Sequence, residues 1–173
     1  MGLGSDVFKW LGIDQPRDEP EVLDTVASAL AHLDERRARY LSTFAYLLGR
    51  VALADHAVTD PERELMLRLV AQEGSLTAEE ASAVVSLAVD EFRRLGGTHN
   101  LIVAHEFAAL TTVEERLALL RCLFAVSAAD ESVAVREDNE IRQISRELKI
   151  EHADFISARA EVRNHLAVLN RQS

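Results

Sequence analysis

Residues 54–62, ADHAVTDPE, join two stretches of apolar, helix-like sequence, and they carry the pattern from which the fold is predicted. The pattern is Ala-Asp, two residues, Val, three residues and Glu, and residues 129–137, ADESVAVRE, repeat it 75 positions later. Asp55 with Glu62, and Asp130 with Glu137, are therefore acid pairs of identical spacing. Each pair lies at a predicted helix-to-helix turn.

The similarity between the two turns extends into the segments beside them. Five of the twelve residues in 51–62 are identical 75 positions later: Val, Ala, Asp, Val and Glu. Core-type positions match at the same distance, in the pairs Phe44 and Leu119, Leu48 and Leu123, Val51 and Val126, Met66 and Ile141, and Leu69 and Ile144. We therefore predict a duplicated helix-turn-helix, with units at about 40–74 and 115–149. Two such units usually pack around a pseudo-twofold axis, which would bring the two turns together.

Helix signals cover the rest of the chain. Only seven Gly and three Pro occur in 173 residues, and apolar residues recur at helical spacing. A threonine followed three positions later by a glutamate predicts a capping box at Thr59, at Thr77 and at Thr111 or Thr112. No alternating pattern predicts a strand. The expected fold is all-α, a compact single-domain bundle of about seven to eight helices.

The first 19 residues have a pattern of their own. Val7, Phe8, Trp10 and Leu11 cluster as on a short amphipathic helix, so residues 1–19 are expected to form an N-terminal segment ahead of a helical domain at 20–173. This segment could anchor the protein to a membrane surface or a partner, although packing on the domain explains the pattern more simply.

Composition limits the classes of function. The net charge of −10 argues against nucleic-acid binding and is compatible with a cation or a basic protein partner. Cys122 is the single cysteine and lies among leucines, which predicts a buried structural thiol and a reducing compartment. No apolar run approaches the roughly 18 residues of a membrane span, and no signal-peptide pattern is present, so a cytoplasmic protein is expected.

The two acidic turns support two interpretations. Hard cations prefer oxygen ligands, so Asp55, Glu62, Asp130 and Glu137 could hold divalent ions in one shared site or two small ones. Alternatively, the glutamates stabilise helix N-termini and the aspartates order the turns, with no metal. Glu137 has no Ser or Thr three positions earlier, so capping explains the second turn less well. Both interpretations stay open.

Familiar calcium-binding and catalytic patterns are missing from the sequence. A 12-residue loop counted from either aspartate ends at Met66 or Ile141, where an EF-hand needs a bidentate acid. The Glu-x-x-His signature of di-iron bundles does not occur. His56 follows Asp55, but His99 and His105 are not spaced to complete a metal-dependent hydrolase. A non-enzymatic protein is therefore expected.

With the repeat established, the chain resembles the TerB-like family of bacterial helical proteins, named for a tellurite-resistance protein. The resemblance rests on VALADHAVTDPERELMLRLV, LLRCLFAVSAADESVAVREDNEIRQISRELKI and HADFISAR, and it spans roughly residues 40–160. It implies an all-helical fold with internal pseudo-symmetry. It also implies binding of a divalent cation by the acids of the turns, which here are Asp55, Glu62, Asp130 and Glu137.

The sequence departs from the family pattern inside both turns. The family's glycine after the aspartate is His56 in one turn and Glu131 in the other, and Glu131 could add a ligand. Glycine at this position would permit a left-handed backbone that other residues adopt less readily. The function implied is a stress-linked interaction module, ordered by Ca²⁺, Mg²⁺, Mn²⁺ or Zn²⁺, with an unidentified protein partner. The alternative is a metal-free helical adaptor.

Overall fold

The computed structural model describes residues 31–95, 97–130 and 135–171, and these residues form seven α-helices and no β-strand. The helices are α1 (Glu35–Ala52), α2 (Asp60–Gly74), α3 (Ala78–Leu95), α4 (Asn100–Leu110), α5 (Val113–Ser127), α6 (Val135–Glu147) and α7 (His152–Arg171). The all-α prediction is thus confirmed. None of these seven helices offers the long apolar stretch that crossing a bilayer requires. The predicted segment at 1–19 lies outside the described residues.

The helices repeat in threes. α2 begins at Asp60 and α6 begins at Val135, 75 positions later, while α3 begins at Ala78 and α7 at His152. α1 packs against α2 and α3, and α5 packs in the same way against α6 and α7. The halves meet where α1 contacts α5 and α6, and where α2 contacts α5. This crossed arrangement fits a pseudo-twofold axis, and it adds a third helix to each predicted repeat unit.

α1 forms the centre of the fold. Every residue from Tyr40 to Leu53 is buried, because α1 is surrounded by α2, α3, α4, α5 and α6. Leu41, Leu47 and Leu48 have no exposed surface, and full burial of such a side chain contributes roughly 1.5–3 kcal/mol. A helix buried on all sides leaves no solvated face for a charged residue, which makes the arginine in this helix notable.

Capping boxes begin α2, α3 and α5, as the sequence predicted. In each, a glutamate carboxylate accepts the backbone N–H of the threonine three positions earlier, at 2.7–2.8 Å; the pairs are Thr59 with Glu62, Thr77 with Glu80, and Thr112 with Glu115. Thr112, and not Thr111, is therefore the residue that caps α5. These caps fix where each helix begins, and the first of them positions an acid of the candidate site.

Candidate metal centre

Glu62 is held in the first turn of α2, and its two carboxylate oxygens have different surroundings. Oε2 accepts hydrogen bonds from the backbone N–H of Thr59 at 2.7 Å and from its hydroxyl at 2.9 Å. Oε1 is also buried, and no described residue donates a hydrogen bond to it. The residue as a whole is 1% exposed. A buried oxygen without a donor is unfavourable by about 1–3 kcal/mol or more, so Oε1 requires a partner.

Glu137 is the equivalent acid in the second half. It is the third residue of α6 and is 2% exposed. Ser127, the last residue of α5, donates its hydroxyl to Oε2 of Glu137 at 2.6 Å. Among the described residues, this carboxylate is therefore held by the preceding helix, while the N-cap position of α6 lies outside them.

Glu62 and Glu137 lie within hydrogen-bonding reach of each other, where the two halves meet. Burial is the main cause that raises the pKa of Glu137 to about 7; the Ser127 hydroxyl lowers it, and the charge and hydrogen bond of Glu62 raise it further. Two ionised carboxylates can only accept, so a hydrogen bond between them requires a proton on one. A proton on Glu137 would therefore let the pair form a hydrogen bond, whereas Oε1 of Glu62 has no donor among the other described residues.

The two aspartates lie at the helix-to-helix turns. Asp55 is exposed, accepts the N–H of Ala57 at 3.3 Å, and is near enough for its charge to raise the pKa of Glu137. Asp130 is half-buried after the end of α5. Within the described ranges, no three His, Cys, Asp or Glu side chains are grouped to hold a metal ion. The structure thus pairs two of the four predicted ligands, with Asp55 nearby.

The backbone of the first turn is left-handed at His56, which has φ of 79°. Its N–H donates to the carbonyl oxygen of Leu53 at 2.9 Å, so the turn closes directly after α1. A residue with a Cβ is disfavoured in this region by roughly 1–2 kcal/mol. The turn therefore keeps the conformation for which the family uses glycine, in spite of the substitution. The second such position, Glu131, lies outside the described residues.

A buried ion-pair cluster crosses the same boundary between the halves. Arg50 of α1 has no exposed side-chain surface, and its guanidinium donates to Glu147 at 2.6 and 3.2 Å and to Glu140 through Nε. Burial opposes the charge of Arg50, but both glutamates outweigh burial and raise its pKa. This cluster was not predicted from the sequence. The available signal was an arginine inside the apolar run LLGRVALA, whose partners are 90 and 97 positions away.

The remaining candidates have structural surroundings. Cys122 is partly buried, and burial is the main cause that raises the pKa of its thiol to about 11, which disfavours the reactive thiolate. His99 is the N-cap residue of α4, with Nδ1 3.1 Å from the hydroxyl of Thr98, and His105 is exposed on the same helix. Among the described residues that the sequence singled out, the pair of Glu62 and Glu137 therefore stays the candidate site.

These features define a class of protein: an all-α domain whose two similar halves place an acidic turn on each side of a buried carboxylate pair. The family model described as tellurite resistance protein TerB matches residues 41–160. The chain therefore belongs to the TerB family, as the resemblance implied. No curated protein and no solved structure matches it.

Proposed function

We propose that this TerB-family protein binds a divalent cation through Glu62 and Glu137 and acts as a non-enzymatic helical interaction module. The observation that supports the proposal is Oε1 of Glu62, a buried oxygen without a donor beside a second buried carboxylate. A cation would neutralise both charges and supply the missing partner. Asp55, Asp130 and carbonyl oxygens at the helix ends are the further oxygen donors that we propose for its shell.

The donor set favours hard cations. All four candidate side chains are carboxylates, which suit Ca²⁺, Mg²⁺ and Mn²⁺ better than Zn²⁺, because zinc sites in proteins are built chiefly from Cys and His. Since Glu62 lies in the first turn of α2 and Glu137 in the first turn of α6, the cation would link the two halves of the fold. Binding to the folded state alone stabilises it, by about 2.7 kcal/mol when the ion is present at 100 times its Kd.

A metal-free adaptor is the second candidate, and a different observation favours it. Leu101 and Ile102 on α4 are 52% and 59% exposed, and Val113 at the start of α5 is 55% exposed. Exposed apolar side chains of this kind are typical of protein-binding surfaces. In this function the acids would only cap helices and share a proton. We propose a protein partner for either function. The proposed cytoplasmic location rests on the compartment expected from the sequence, and the proposed link to stress rests on the family to which the chain belongs.

The decisive experiment is isothermal titration of Ca²⁺, Mg²⁺, Mn²⁺ and Zn²⁺ into metal-stripped protein. The test variant combines Glu62→Gln with Glu137→Gln, which keeps the shape of both side chains and removes both charges. The matched control combines Glu64→Gln with Glu79→Gln, because both of these glutamates are exposed and the net charge changes equally. We expect saturable binding in the natural protein and in the control, and none in the test variant.

The other outcomes are also informative. Binding that survives in the test variant would place the ion elsewhere and overturn the proposed ligands. If no ion binds to the natural protein, the metal-free adaptor is the remaining function, and the exposed apolar side chains are then tested. Replacing Leu101 and Ile102 with serine should abolish partner capture without changing thermal stability by more than a few degrees.

A further inference from the structure

A cleft of about 420 Å³ lies on the side of the molecule that carries Arg50. It is lined by the end of α1, the turn that follows, the end of α3, Gly97, the start of α4, and Glu140 of α6. Its volume falls in the range of roughly 300–1,000 Å³ that is usual for small-ligand sites. It is separate from the acid pair, since neither Glu62 nor Glu137 lines it.

One wall of the cleft is apolar. Leu53 and Phe92 contribute to it, and the ring of Phe92 is partly exposed. Tyr46 packs its ring edge-on against Phe92, with centroids 5.7 Å apart and an interplanar angle of 69°. This contact fixes the position of the Phe92 ring, so the cleft presents a preorganised aromatic surface to a ligand.

Asn100 presents hydrogen-bond donors to the same cleft. The hydroxyl of Tyr46 donates to Oδ1 of Asn100 at 2.9 Å, which fixes the orientation of the amide. Nδ2 then carries two N–H donors, and no described residue accepts from them. Gly97, with φ of 83°, lies against this amide: a Cβ there would be 3.1 Å from Nδ2. The lack of a side chain at Gly97 therefore keeps the amide accessible.

The cleft also contains a cationic side chain, Arg93, to which no described residue supplies a counterion. Arg50 is paired with Glu140 and Glu147, and Arg94 is paired with Glu91. Arg93, which lines the cleft and is exposed, forms no ion pair or hydrogen bond with any residue in the described ranges. A guanidinium can donate two charge-assisted hydrogen bonds to a carboxylate or phosphate, so Arg93 offers a local binding group for an anion in a protein that is acidic overall.

We propose that this cleft binds a small aromatic anion, with its carboxylate or phosphate at Arg93 and Asn100 and its ring on Phe92. His56, on the rim, adds a further donor. The first half alone supplies this set: the third helices are offset by 74 positions, so Phe92 and Arg93 correspond to Leu166 and Ala167, which have neither an aromatic ring nor a charge. The donor set is therefore not a by-product of the duplication, and the inference does not depend on cation binding at the acid pair.

The test is a titration of full-length protein with benzoate, phenyl phosphate and, as the uncharged probe, benzyl alcohol. Binding is followed by amide NMR, including the side-chain amide of Asn100, and by calorimetry. We expect saturable binding of at least one anion, a shift of the Asn100 side-chain signal, and much weaker binding of benzyl alcohol. Preference for benzoate or for phenyl phosphate then identifies the acidic group.

Three variants make the result specific. Arg93→Gln should weaken anion binding about fivefold or more, the effect of one lost charge-assisted contact. Asn100→Asp keeps the acceptor for Tyr46 and replaces the donor with a negative charge, so it should abolish binding. Arg68→Gln, at an exposed arginine on α2, is the control and should bind as the natural protein does. Equal weakening by Arg93→Gln and Arg68→Gln, or no saturable binding of either anion, would overturn the proposal.

Discussion

Replacing Glu137 with glutamine should stabilise the metal-free protein at pH 8. Glutamine keeps the shape of the side chain and removes a buried charge that lies beside Glu62. Its carbonyl oxygen can accept the hydroxyl of Ser127, as the carboxylate does now at 2.6 Å. Its amide can donate to Oε1 of Glu62, which has no described donor. This one substitution therefore gives hydrogen-bond partners to both side chains of the pair.

The magnitude follows from the pKa of Glu137, which burial and Glu62 raise from 4.5 to about 7. Because the folded protein holds this proton more tightly than the unfolded chain, folding stability falls as pH rises from 4.5 through 7, and is constant above. The loss over this window is about 3 kcal/mol. Glutamine does not ionise, so the variant should gain on the order of 2–3 kcal/mol at pH 8 and almost nothing at pH 4.5.

The assay is thermal unfolding in the presence of EDTA between pH 4.5 and pH 8. For a protein of this size, the gain at pH 8 should raise Tm by roughly 5–10 °C. Glu64→Gln on the surface of α2 is the control and should show no pH-dependent difference from the natural protein. A destabilised Glu137→Gln variant at pH 8, or a gain that is equal at all pH values, would refute the coupling between the two buried acids.

Three further predictions concern the scaffold. Arg50→Met leaves Glu140 and Glu147 without their buried partner, so it should reduce the free energy of unfolding, measured in urea, by about 3–5 kcal/mol. Recovery of stability when both glutamates are also changed to glutamine would confirm the cause. A loss below about 1 kcal/mol would contradict it. Thr112→Ala removes the cap of α5 and should lower stability by about 1 kcal/mol, seen as a lower Tm; no change would mean that water replaces the cap. His56→Gly relieves the positive φ and should raise stability by about 0.5–1 kcal/mol in the same assay, whereas a loss would show that the imidazole makes stabilising contacts.

The sequence predicted the features that depend on local or repeated signals. The threonine and glutamate pairs predicted three helix starts, and the 75-residue repeat predicted that the two turns would meet. The meeting of Glu62 with Glu137 follows from these two observations alone. The third helix of each half was not recognised as part of the repeat, because its offset is 74 and its solvent-facing positions have diverged: Arg93 corresponds to Ala167.

Features that depend on distant partners could not be predicted in the same way. Arg50 has its acids on α6, and nothing in the neighbourhood of Arg50 in the sequence identifies Glu140 or Glu147 as the pair. The positive φ of His56 is likewise imposed by the closing of the turn, against the preference of the residue itself. Tertiary structure overrides local preference at both positions.

The buried arginine also determines which half can associate with which. In a homodimer of the first half, two copies of Arg50 would enter the interface and meet Leu65 and Gln72, the residues 75 positions before Glu140 and Glu147. In a homodimer of the second half, the same two acids would be buried opposite Ala125, which occupies the position of Arg50. Each half alone therefore buries charge without an opposite partner at this point, and only the unlike pair places the arginine beside its acids. At this position the two halves of the duplicated fold are therefore complementary, and one cannot replace the other.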